Sequence, residues 1–216
     1  MNTQQAYNIW SEQYDTNENK TRDLEAISLR EYIKSKQFEH CLEIGCGTGK
    51  NTEWLITQAN KVLAVDLSEE MLSKAKQKIN ASNVIFTQAD ITQDWSFTSG
   101  HQFDLATFSL VLEHIEDLEA IFAQLNKVIQ PNGIVYIGEL HPFKQYNGSK
   151  ARFETSEGVQ VVTCFNHHIT DFVTAANNNG FELIHINEYF DDNNKHNVPR
   201  ILTLIFKKYP TFDSII

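Results

Sequence analysis

From residue 40 onward, short apolar runs alternate with stretches of helical periodicity, and this alternation constrains the fold more than any other feature of the chain. CLEI (41–44), VLAV (62–65), VIF (84–86), FDLATF (103–108) and IVYIGEL (134–140) are each short and bounded by Gly, Asn, Asp or Pro, as strands buried on both faces are. Between them, 51–58, 68–80 and 118–129 have the spacing of crossover helices. Ser68 reads as an N-cap with Met71 three residues on, and Pro131-Asn132-Gly133 stops the last helix. Such a series specifies βαβ units and a mostly parallel sheet. Upstream, 3–14 and 21–36 read as helices, the second with Leu24, Ile27, Leu29, Tyr32 and Ile33 as its apolar face. Downstream, 141–158 is polar and turn-rich, 159–165 reads as an extra strand and 170–177 as a helix. FELIHINEYF (181–190) and RILTLIFKK (200–208), joined by a polar loop, read as an antiparallel pair.

A chain of 216 residues without linker, repeat or low-complexity tract is expected to form one domain, 1–216. Its net charge of −10 opposes a polyanion, and Lys74, Lys76 and Lys78 read as the solvent side of a helix, so nucleic acid is not the expected partner. The N-terminal stretch lacks a basic start and an apolar core, and no run of about 18 apolar residues occurs. The expectation is a cytoplasmic protein with no membrane partner. Cys41, Cys46 and Cys164 form no CxxC pair, and the histidines lack metal-ligand spacing, so neither a disulfide framework nor a metal is expected.

Gly45, Gly47 and Gly49 follow the first strand, and without a Cβ they let the backbone approach a ligand closely. The dinucleotide fingerprint Gly-x-Gly-x-x-Gly requires glycine where this chain has Lys50, which reads as an ordinary first-turn residue. Glu43 adds a carboxylate at the strand end, which repels pyrophosphate and suits a ligand carrying ammonium or sulfonium charge. Asp66 ends the second strand, 21 residues after Gly45, where a carboxylate accepts both hydroxyls of a ribose. Asp90 follows the third strand and is positioned for an adenine amino group, with Ile91 against the ring. Acids at three successive strand ends lie where open α/β sheets bind ligands.

EIGCGTG, VDLSEEML, QADI, FDLATFSLVLEHI and IQPNGIVYI, in this order, resemble the motif series of class I S-adenosylmethionine-dependent methyltransferases, in particular the small-molecule group that includes the ubiquinone- and menaquinone-type enzymes. The resemblance covers roughly residues 38–140 and implies a Rossmann-like three-layer α/β/α sandwich, with a seven-stranded, mostly parallel sheet and a C-terminal antiparallel hairpin. It implies S-adenosyl-L-methionine as cofactor, with S-adenosyl-L-homocysteine as product. Glu43, Gly45, Cys46, Gly47 and Gly49 would cradle the methionine part, Asp66, Leu67 and Met71 the ribose and adenine, and Asp90 and Ile91 the adenine edge. Ser109 and Leu110 would lie along the methionyl chain. By the same resemblance 1–37 is a helical lid with Tyr14 touching the cofactor, 38–140 the cofactor-binding core, 141–166 an acceptor-pocket insertion and 167–216 a C-terminal helix and hairpin.

The expected reaction is in-line methyl transfer to a small organic acceptor at O, N or C. Phe143, Tyr146, Phe153 and Phe165 are candidates for the acceptor cavity wall, with Arg152 as a fork for a substrate carboxylate. His114 and His141 are candidate general bases; His167 and His168 read as structural or exposed. Tyr7, Trp10 and Tyr14 at helical spacing read as a core stripe or as part of the lid. The segment SLVLEH lacks the Asn/Asp-Pro-Pro-aromatic motif of amino-methylating DNA enzymes. A nicotinamide-dependent oxidoreductase and a non-catalytic S-adenosylmethionine-binding module stand as alternatives.

Overall fold

The computed structural model describes residues 2–16, 18–155 and 158–210. Ser156-Glu157, inside the expected insertion, and 211–216, inside the expected C-terminal unit, lie outside the described residues. The chain begins with helices α1 (Thr3–Trp10) and α2 (Lys20–Ile33). The βαβ series follows: β1 (Phe38–Ile44), α3 (Thr52–Leu55), β2 (Ala59–Asp66), α4 (Glu69–Lys78), β3 (Val84–Gln88), β4 (Phe103–Ser109), α5 (Leu118–Val128) and β5 (Ile129–Leu140). The remainder is α6 (Pro142–Tyr146), the strands β6 (Arg152–Thr155) and β7 (Gly158–Val161), α7 (Ile169–Asn178), β8 (Phe181–Tyr189) and β9 (Ile201–Lys208).

Seven strands form one sheet in the order β3-β2-β1-β4-β5-β9-β8, and β9 runs antiparallel to both of its neighbours. The pleat sends alternate side chains to opposite faces, so each central strand feeds two cores. Leu42, Ala106, Phe108, Val135 and Leu204 pack under α5 and α7, while Cys41, Leu105, Tyr136 and Ile205 pack under α2, α3 and α4. This gives three layers. Phe122 of α5 anchors one of them, with Phe181 and Phe206 edge-on at ring distances of 5.8 and 5.4 Å. A third, smaller cluster joins Ala6 and Trp10 of α1 to Met71 of α4 and to Phe153 and Val162, holding α1 against the sheet end.

Local chemistry sets the helix starts. The side chains of Asn2, Asn19, Ser68 and Asp117 accept backbone N–H bonds from the first turns of α1, α2, α4 and α5. Among the described residues no helix is long and apolar enough to cross a membrane.

Several boundaries differ from the sequence expectation. The first helix stops at Trp10 and continues as turns. The helix expected over 51–58 keeps only α3, because β2 already begins at Ala59. β5 begins at Ile129, directly after α5, and the Pro131-Asn132-Gly133 run is a kink inside the strand, with Asn132 left-handed (φ 65°) and a register shift between Phe103 and Leu105. The strand expected over 159–165 ends at Val161 and pairs with β6 in a separate hairpin. In α2, Ile27 is 48% exposed while Glu25 and Ser28 are buried with Leu29 and Ile33. The buried face is therefore partly polar, because Glu25 accepts from Ser109 Oγ and Ser28 Oγ bonds Tyr136 and Thr203 of the sheet.

Candidate functional site

A cleft of about 230 Å³ runs across the carboxyl ends of β1 to β4 and is covered by α1. Ile44 and Gly45, Val65 to Leu67, Ala89 to Thr92, and Ser109 to Val111 contribute its floor, while Tyr7 and Tyr14 close it from the N-terminal side. A second, smaller pocket continues behind the glycine loop and shares Tyr14, Gly45, Gly47, Ser109 and Leu110 with the first. It adds Asp15, Arg22, Glu25, Glu43 and Asn51.

The glycine loop is held by the protein itself. The N–H groups of Gly45 and Cys46 both donate to the Val65 carbonyl at 2.8 and 3.0 Å, and Gly49 N–H donates to the Cys46 carbonyl at 2.9 Å. Gly47 N–H donates to Asp66 Oδ2 at 2.8 Å, and Ser68 N–H donates to Oδ1 at the same distance. The donors that a dinucleotide loop offers to pyrophosphate are thus engaged internally. Gly45 has φ +70°, and a Cβ there would sit 2.2 Å from Val111 Cγ2. Gly49 is a packing glycine of another kind: a Cβ would meet Ile79 Cδ1 at 2.7 Å, and the residue lines neither cavity.

Acidity defines the smaller pocket. Glu25 accepts hydrogen bonds from Ser109 Oγ (2.7 Å), Tyr136 Oη (3.0 Å) and Asn51 Nδ2 (3.1 Å). Glu43 accepts from Thr52 Oγ1 at 2.6 Å. Burial pushes the Glu25 carboxyl up to about 7 and Glu43 up to about 8, and it raises Asp66 as well against three backbone N–H bonds that oppose it. A cation arriving between these carboxyls favours their ionised forms. Arg22 adds the opposite charge, its guanidinium 4.1 Å over the Tyr14 ring and donating to the Tyr14 carbonyl. Leu110 is left-handed at φ 59° and donates its N–H to the Gly138 carbonyl at 2.8 Å. Such a conformation costs a non-glycine residue about 1–2 kcal/mol and persists because β4 and β5 hold it.

The structure brings together most of the residues singled out in the sequence. Tyr14, Gly45, Gly47, Asp66, Leu67, Asp90, Ile91, Ser109, Leu110 and His114 line the main cleft, and Glu43 and Cys46 line the smaller pocket. Asp90 Oδ1 is engaged by the N–H and hydroxyl of Thr92. Met71 does not reach either cavity: it is fully buried with Trp10 and Phe153, and its N–H donates to the Ser68 cap. Lys50 pairs with Asp23.

The acceptor-side expectations fare differently. His141 is buried away from the cleft, where Nδ1 accepts the Phe143 N–H that starts α6 and Nε2 donates to Glu188 at 2.9 Å. Burial lowers its pKa against the pull of Glu188. Phe143 and Tyr146, about half exposed on α6, line neither cavity. Phe153 is buried and stacked on Trp10 at 5.2 Å, so it fastens α1 rather than walling the cleft. Arg152 is exposed on β6, and Phe165 donates its N–H to the Glu113 carbonyl. His167 is buried and donates from Nε2 to the Ile115 carbonyl, while His168 caps α7 beside Tyr146. The sequence reading missed Arg22, Glu25 and Asn51. For Glu25 a signal existed, since Glu25, Ser28 and Leu29 share one helical face with Ile33.

Residues 42–137 match the family model described as "Methyltransferase domain". An uncharacterized methyltransferase of Emericella nidulans is 24% identical over 87% of this chain and 78% of its own length. A ubiquinone biosynthesis O-methyltransferase of Rhizobium johnstonii is 27% identical over 46% of this chain, which spans only 40% of that protein. Among solved structures, the N-methyltransferase NodS of Bradyrhizobium japonicum with S-adenosyl-L-homocysteine aligns with a TM-score of 0.71 at 18% identity, covering 96% of this chain and 99% of that one. Residues 42–137 are thus similar to a methyltransferase domain, and the chain shares its fold with solved S-adenosylmethionine-dependent methyltransferases.

Proposed function

We propose that this protein binds S-adenosyl-L-methionine across the two connected cavities and transfers its methyl group to a small organic acceptor. The observation that carries the reading is the glycine loop, whose N–H donors are engaged internally while two buried carboxyls, Glu25 and Glu43, stand behind it. That chemistry disfavours pyrophosphate and suits an α-amino group next to a sulfonium.

In this reading the adenosine part lies in the main cleft. Asp66 accepts the Gly47, Ser68 and Leu67 N–H groups, and its remaining acceptor capacity is offered to the ribose hydroxyls. Leu67 and Ile91 flank the adenine and Asp90 faces its edge. The amino-acid part enters the smaller pocket, where Glu25 and Glu43 attract the ammonium and Arg22 holds the carboxylate. The Tyr14 and Tyr7 rings cover the sulfonium end, where an aromatic face favours a cation. The bound cofactor supplies an electrophilic methyl group, and the residues of this chain align an acceptor with it and exclude water. Helix α1 carries out the exclusion, held by Gln4 Nε2 on the Leu67 carbonyl (3.2 Å) and by Ser68 Oγ on Asn8 (2.6 Å).

The test is calorimetry with S-adenosyl-L-homocysteine and with NAD. Micromolar binding of the first and none of the second is expected; the reverse result overturns the assignment.

A further inference from the structure

Tyr7 and His114, both in the wall of the main cleft, are joined by a hydrogen bond of 2.8 Å between Oη and Nε2 although 107 residues separate them. The direction of that bond is determined by the other ring nitrogen. His114 Nδ1 lies 2.8 Å from the Thr163 carbonyl, which only accepts, so Nδ1 carries the proton and the neutral ring presents the Nε2 lone pair to the Tyr7 hydroxyl. The ring is fixed further by edge-on contact with Tyr7 at 5.4 Å. Glu113, buried, places Oε1 3.9 Å from Nε2, and its Oε2 has no hydrogen-bond partner. Tyr14, also in the cleft wall, lies at a ring distance of 6.4 Å from Tyr7, and Cys164 Sγ lies 3.8 Å from Nδ1.

Val111, Ile115 and Leu110 line the same cleft as the pair, and no Lys or Arg lines it among the described residues. A carboxylate or phosphate has no counter-charge there. A hydrogen-bonded Tyr–His pair beside apolar side chains, with no cation in the wall, matches an uncharged acceptor that presents a hydroxyl.

Building on the methyltransferase reading, we propose that Tyr7 and His114 form a proton relay for an uncharged, hydroxyl-bearing acceptor of phenol type. As the acceptor oxygen forms its bond to the methyl carbon, the carbon–sulfur bond breaks and its electron pair stays on sulfur. The acceptor proton passes to Tyr7 Oη, and the Tyr7 proton passes to His114 Nε2. The imidazolium faces Glu113 and later releases the proton to solvent. Tyr7 touches the acceptor and is a catalytic residue; His114 completes the relay. Because Tyr7 lies on α1, the relay exists only when that helix covers the cleft.

The probe is 4-nitrophenol, whose ionised form absorbs in the visible, added to the full chain saturated with S-adenosyl-L-homocysteine. The expected result is that the bound probe ionises about one pH unit or more below the free compound. Tyr7→Phe and His114→Gln are expected to lower the ionised fraction of the bound probe by at least about fivefold, each variant being kept saturated by raising the S-adenosyl-L-homocysteine concentration. A probe that binds as the neutral phenol, or does not bind, overturns the relay. Loss of homocysteine-product binding in both variants also overturns it, since the pair would then be only a fastening for α1. Failure of the wild-type chain to bind S-adenosyl-L-homocysteine removes the methyltransferase reading itself, a separate outcome.

Discussion

Asp66→Asn tests the loop and the ligand assignment together. In the native chain each carboxyl oxygen accepts one backbone N–H at 2.8 Å, from Gly47 on one side and Ser68 on the other. An asparagine satisfies one of them and turns its NH₂ toward the other, and neither flip removes the conflict. Leaving one buried donor unpaired costs about 1–3 kcal/mol, offset in part because a neutral amide is easier to bury than a carboxylate. A net loss of about 1–2 kcal/mol lowers Tm by roughly 2–8 °C in a chain of this size. The ligand suffers separately, since one of two hydroxyl acceptors is gone; about 1.5–3 kcal/mol corresponds to roughly 10- to 100-fold weaker binding. Urea unfolding without ligand and calorimetry with S-adenosyl-L-homocysteine measure the two effects independently. A variant with the wild-type urea midpoint and wild-type affinity would falsify both the loop-anchoring role and the ribose assignment.

Gly45→Ala combines a left-handed backbone with a 2.2 Å approach to Val111, and it should lose about 2–5 kcal/mol of stability. Adding Val111→Ala should recover part of that loss, and strict additivity in a double-mutant cycle would show that the clash is not the cause. Glu43 titrates from an ordinary value of 4.5 in the unfolded chain to about 8 in the fold, so its favourable contribution is complete below about 4.5 and disappears as pH rises through about 8. Glu43→Gln is therefore expected to gain stability relative to wild type between pH 5.5 and pH 8.5 in paired thermal melts; a pH-independent difference contradicts the raised value. Arg22→Met should weaken S-adenosyl-L-homocysteine by about 10-fold or more and leave adenosine unchanged, and equal losses for both would remove Arg22 from the carboxylate.

The extent to which the site was legible in sequence follows the distance over which each signal acts. Strand ends are local features, so Gly45, Asp66, Asp90 and Ser109 were identifiable, and the parallel sheet then sets them side by side at one edge. Met71 was misplaced because a residue that follows a cap in the first turn of α4 points into the α1 cluster, a direction that only packing decides. The aromatics of 141–166 suggested a pocket by composition alone. In the fold Phe153 became the support of Trp10, and Phe143 and Tyr146 stayed on an outer helix. His141 was read as facing the cleft from its position after β5, yet capping α6 turned it toward Glu188.

What the linear chain determined was the architecture and which strand-end residues share one cleft, because hydrophobic period, turn residues and strand-end acids are short-range properties. The tertiary structure alone decided the rest. It brought Glu25 and Arg22 of α2 behind the glycine loop, engaged the loop's N–H groups internally, and set Tyr7 against His114 across 107 residues. Those pairings depend on how α1 and α2 dock on the completed sheet, and no local periodicity encodes the partner that a buried polar group will meet.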